Sequence, residues 1–97
     1  MTRSILERVR EMTRHALERE AEKLLGLAAV KARISDAAGD GFTHITVAPE
    51  KAVDVSQTVA AKATADALRA EGFGVEWEKR QHPDGCTSQA LVVRWTL

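Results

Sequence analysis

The chain has 97 residues, enough for one domain and too few for two ordinary ones. Its 14 basic and 14 acidic residues cancel to a formal net charge of zero. That balance argues against a general nucleic-acid binder and offers no long-range pull toward an anionic membrane. A content of 44% hydrophobic and 29% charged residues is globular rather than disordered.

No stretch approaches the roughly 20 apolar residues of a membrane span. The N-terminal Met1-Thr-Arg-Ser-Ile-Leu-Glu-Arg8 becomes charged within a few residues, so it lacks the apolar core of a signal peptide. Cys86 is the single cysteine, which excludes an intramolecular disulfide and a Cys-rich metal site and fits a reducing interior.

From Thr2 to about Ala38 the chain is free of proline and rich in Ala, Leu, Glu and Arg, which predicts helix. Ile5, Val9, Met12 and Ala16 recur at helical spacing, and Leu17, Leu24, Leu27, Ile34 and Ala38 continue a broad apolar stripe. Glu20 and Lys31 intrude on it, and Leu25 points away from it if the helix is straight. Gly26 lies beside that anomaly, so residues 1–39 form one long helix or two collinear ones. Arg14 and Glu18, and Glu7 and Arg10, can pair along the polar side. Arg3, Arg8, Arg10, Arg14, Arg19 and Lys23 are answered by Glu7, Glu11, Glu18, Glu20 and Glu22, as on a solvated helix.

Gly39-Asp40-Gly41 ends the helical run, and Phe42-Thr-His-Ile-Thr-Val47 is a short β-branched strand. A second helix follows, starting either at Pro49 or with Asp54 as cap, and running to about Glu71. Val53, Ala60, Ala63, Thr64, Ala67 and Leu68 are its expected inner face, and Lys62, Asp66 and Arg69 its outer row. Gly72 and Phe73 form the stop.

Phe73, Val75 and Trp77 then alternate with Gly74, Glu76 and Glu78, and Leu91, Val93, Trp95 and Leu97 alternate with Val92, Arg94 and Thr96. Both apolar sets must face one side, so the connecting loop needs an odd number of residues. Pro83-Asp84-Gly85 supplies it, with glycine in the left-handed conformation closing a bulge. The register then sets Trp77 near Leu91, Val75 near Val93 and Phe73 near Trp95, with Glu76 diagonal to Arg94.

The predicted fold is a single α+β domain over 1–97, of order α-β-α-β-β, in which 42–97 form a β-α-β-β unit. The sheet is three-stranded and mostly antiparallel, with the last strand central and the helices on one face.

Candidate chemistry is sparse. His82, Asp84 and Cys86 lie within one turn, but a metal needs further ligands, and only His15 and His44 remain among the histidines. Cys86 with His82 offers a thiol and a base but no orienting third group. Gly39-Asp40-Gly41 precedes a strand rather than opening a helix, so it is no phosphate cradle. No catalytic, cofactor-binding or metal residue is assigned, and no cofactor is expected. The candidate contact surface is Ile5, Val9 and Met12 on the first helix, with His44, Val92 and Arg94 on the open sheet face.

The run Leu68-Arg-Ala-Glu-Gly-Phe73-Gly-Val75-Glu-Trp77, a polar turn, then Leu91-Val-Val93-Arg-Trp95 resembles small proteins of tailed bacteriophages and prophages of unassigned role. The resemblance covers the C-terminal half. It implies a phage-derived protein working in a bacterial cytoplasm or a virion through protein contacts, and brings no catalytic residues.

The leading expectation is a non-enzymatic interaction or assembly protein. About ten helical turns at ~5.4 Å each outrun a three-stranded sheet, so the overhanging stripe calls for a protein partner or a second copy. A module resembling double-stranded RNA binders is the alternative, and a small His/Cys enzyme the third.

Overall fold

The computed structural model describes residues 4–49 and 53–97. Helix α1 spans Ile5–Leu25, α2 Leu27–Gly39 and α3 Val59–Ala70, and strands β1, β2 and β3 span His44–Val47, Gly74–Gln81 and Thr87–Arg94. The expected start at Thr2, and Arg3 among the helical charges, lie outside the described residues. Among those described, no helix is long and apolar enough to cross a membrane.

The strands form one three-stranded sheet in the order β1-β3-β2. The central β3 is antiparallel to both neighbours, as the α-β-α-β-β reading requires. Parity fixes the hairpin. Trp77 opposes Leu91 and Val75 opposes Val93, while Phe73 meets Trp95 edge-on with ring centroids 6.2 Å apart. The turn is built as its residues dictate. Gly85 N–H donates to His82 O (3.0 Å) and His82 N–H to Cys86 O (2.9 Å). Gly85 takes φ 88°, a conformation that an L side chain adopts only at a cost of about 1–2 kcal/mol. The strands run closer to this turn than the alternation suggested, and β3 ends at Arg94, short of Leu97.

The helices pack on the face carrying Ile45, Val47, Val75, Trp77, Leu91 and Val93. Leu25, Val30, Ile34, Ala61 and Leu68 meet that face in the core. Gly26 adopts φ −58°, ψ 142°, which ends α1 and starts α2, so the run is two helices and not one long one. Leu25 is buried to 1% exposure one helical turn after Ala21, on the face of α1 that meets the core, where the stripe had it pointing away. A side chain at Gly26 would set a Cβ 2.6 Å from the Glu22 carbonyl oxygen, so the backbone at the break admits only glycine without moving.

Helix α3 starts later than either expected position. Asp54 accepts from Ser56 N–H (2.9 Å) in a local turn, and Thr58 is the true cap, its hydroxyl accepting from Ala61 N–H at 3.2 Å. The inner face is therefore Ala61, Thr64, Ala65 and Leu68, and Ala63 is exposed.

Two long-range bonds join α1 to α3. Thr64 Oγ1 donates to Leu25 O at 2.6 Å in the core, satisfying a carbonyl at the end of α1. The Glu18 carboxylate, which the spacing offers to Arg14, instead accepts from Val59 N–H at 2.8 Å. That bond and the Thr58 cap both serve the amino end of α3, where negative charge is favourable.

Candidate interaction surface

Helix α1 has 21 residues, about 32 Å at 1.5 Å per residue. Its carboxyl-terminal half packs on the core: Ala21 and Leu25 are buried, and Leu17 and Leu24 pack against it. From Ser4 to Ala16 every residue is exposed except the half-buried Glu11. The molecule is correspondingly elongated, with a radius of gyration of 15.4 Å against about 12.5 Å for a compact chain of this length.

The projecting half carries Ile5 at 79%, Leu6 at 56%, Val9 at 50% and Met12 at 70% exposure. Ile5, Val9, Met12 and Ala16 share one side, about 150° round the helix from the core-facing Ala21 at ~100° per residue. The row therefore faces away from the domain it belongs to. Leu6, Thr13 and Leu17 flank it on one side, and Arg8 and His15 on the other. Thr13 directs its hydroxyl into the Val9 carbonyl at 2.9 Å, leaving its methyl for the surface.

On the Leu17 side, a groove of about 520 Å³ opens between α1 and the start of α3, lined by Val9, Leu17 and Val59 together with the charged Arg10, Arg14, Glu18 and Asp54. Val59 is 74% exposed there. Sequence reading missed it, because with a helix starting at Pro49 or Asp54 it had no assigned face.

The sheet half of the candidate surface is a separate place. His44 and Arg94 are directly paired across β1 and β3, on the face turned from the helices. Arg94 Nε donates to Glu76 Oε1 at 3.0 Å, and Phe42 meets the His44 ring edge-on at 6.5 Å. Val92 shares this face but is only 3% exposed. As a contact residue it is a correction: the central strand sits beneath its neighbours' side chains, so Val92 offers almost no area. The structure thus keeps Ile5, Val9 and Met12 together and does not join them to His44 and Arg94.

The turn residues show no chemistry of activation. Asp84 accepts from Cys86 N–H at 3.0 Å. This bond, first among the causes, holds the Asp84 carboxyl below the usual carboxylate range. The charge of Asp84 in turn pushes the exposed Cys86 thiol up, the reverse of what a thiolate nucleophile needs. His82 Nε2 lies 2.8 Å from the buried Ser88 hydroxyl, a contact that ties the two strands beside the turn. Among the described residues no group of three or more His, Cys, Asp and Glu is placed to hold a metal. No protein-family profile, curated protein or solved structure matches this chain.

Proposed function

We propose that this protein is a non-enzymatic interaction module that self-associates through the outward face of α1. One observation carries the reading: four large apolar side chains, Ile5, Leu6, Val9 and Met12, at least half exposed on about two turns at the amino end of α1. Single exposed hydrophobics are ordinary, but a contiguous row on a projecting helix is a contact surface.

The magnitude supports a reversible contact. Finishing the burial of these side chains contributes about 1–2 kcal/mol each. Two copies together gain roughly 8–16 kcal/mol, set against an association cost of about 4–15 kcal/mol. A surplus of about 4–8 kcal/mol, within the span of these terms, corresponds to dissociation constants between millimolar and micromolar.

Methyl NMR across a concentration series tests the reading. The Ile5, Val9 and Met12 methyls are expected to shift as concentration rises, while Val30 and Val92 stay fixed. Shifts confined to the sheet face around His44 and Arg94, or no shifts up to millimolar protein, would overturn it.

A further inference from the structure

We infer that the occupant of the α1 face is a second copy of α1 running antiparallel, with Val9 opposite the second copy's Met12 and Ile5 opposite its Ala16. This rests on the reading that α1 self-associates and specifies how.

The spacing of the row is the first argument. Ile5, Val9, Met12 and Ala16 are separated by four, three and four residues, the a/d pattern of a two-helix seam. Run against itself antiparallel, the row sets its largest exposed residue against its smallest, Ile5 on Ala16, and Val9 on Met12. Large then fills small at both ends, as facing helix surfaces require.

Charge gives the second argument. Continued by one step, the same pattern reaches Arg19. A parallel pair would stack Arg19 on the other copy's Arg19, like charge on like. In the antiparallel pair each Arg19 lies beyond the other copy's seam and stays in water.

The flanks give the third argument, and here the fold contributes what the helix alone does not. Antiparallel pairing turns the Leu6 flank of one copy toward the Thr13 and Leu17 flank of the other. That flank opens into the groove with Val59. The second copy's Leu6 therefore enters beside Thr13, whose hydroxyl is already satisfied by Val9 O, and points toward Leu17 and the 74%-exposed Val59. Parallel pairing would instead present Arg8 and His15 to the side of the groove carrying Val9, Leu17 and Val59. Only the antiparallel arrangement covers Val59 with a hydrocarbon side chain. The two domain bodies then sit at opposite ends of the seam, each turned away from it, so neither obstructs the other.

Disulfide trapping reads the geometry directly. The exposed native thiol is first removed by Cys86→Ser, and Ile5→Cys and Ala16→Cys are made separately in that background. Under mild oxidation an equimolar mixture is expected to give the mixed Ile5→Cys/Ala16→Cys dimer as the dominant product. Ile5→Cys alone should remain unlinked, because antiparallel copies hold those positions roughly 16 Å apart along the axis. Sedimentation of the unsubstituted protein accompanies it. Dimers in sedimentation together with efficient Ile5→Cys self-linking would overturn the antiparallel pairing while leaving self-association intact. A chain that sediments as a monomer at every concentration would overturn both.

Discussion

The bond from Thr64 Oγ1 to Leu25 O is the point where one substitution probes most of the architecture. The break at Gly26 leaves Leu25 O at the end of α1, and α3 supplies the donor 39 residues later at 2.6 Å. Thr64 is 3% and Leu25 1% exposed, so water has no access to replace a lost donor. Thr64→Val keeps the side-chain volume and the β-branch and removes only the hydroxyl. The loss is therefore that of a buried carbonyl left unpaired, about 1–3 kcal/mol, and not of a cavity. For a domain of this size each kcal/mol lowers Tm by roughly 4–8 °C, so a fall of about 5–20 °C is expected in thermal unfolding followed by far-ultraviolet circular dichroism. Thr64→Ser separates the causes. It keeps the donor and loses one methyl, about 1 kcal/mol, so it should be the milder variant. If Thr64→Val equals or exceeds the parent in stability, burial of the added methyl outweighs the hydrogen bond, and the account of how α1 and α3 are joined is wrong.

Other expectations follow from single contacts. Gly26→Ala should cost about 1–3 kcal/mol in urea unfolding, because its Cβ would meet the Glu22 carbonyl at 2.6 Å; an unchanged midpoint would show that the backbone shifts freely there. Arg94→Ala should change stability by less than about 1 kcal/mol, since its pair with Glu76 is exposed on both sides. The Asp84 carboxyl is depressed chiefly by the Cys86 amide. Its contribution to the turn is present above the ordinary carboxylate value and is lost as pH falls through the lower folded value, below about pH 4; an NMR titration of the Cys86 amide reads this. Because the charge of Asp84 raises the Cys86 thiol, Asp84→Asn should speed alkylation of Cys86 at pH 8, and equal rates would contradict that coupling.

How much of this was legible in the chain depends on whether the deciding interaction is local. The hairpin register was, because strand parity leaves one solution once Val75, Trp77, Leu91 and Val93 must share a face. The projecting row Ile5, Val9 and Met12 was too, because helical spacing and overhang are both matters of count. The burial of Leu25 was not. The stripe of Ile5, Val9 and Met12 marks the outward side of α1, and the core face is the one carrying Ala21 and Leu25, four residues apart. The start of α3 was missed for a different reason. Pro49 and Asp54 carry ordinary start signals, but Asp54 closes its own turn on Ser56, leaving Thr58 as cap. The bonds from Thr64 to Leu25 and from Val59 to Glu18 cross 39 and 41 residues, a separation over which periodicity carries no information. Val92 shows a different limit. Alternation gives its face correctly but not its exposure, which depends on how long the neighbouring strands' side chains are.

Exposed and apolar together is the combination on which the proposed role of α1 depends, and sedimentation equilibrium with Met12→Glu addresses it most directly. Met12 is 70% exposed, so the substitution should leave the stability of the isolated domain within about 0.5 kcal/mol of the parent. In an associated pair the same carboxylate would be buried in the seam. The account predicts a parent protein that moves from monomer to dimer between micromolar and millimolar concentration, and a Met12→Glu variant that stays monomeric and folded throughout. A parent that remains monomeric over that range, or a variant that dimerises as the parent does, would contradict it.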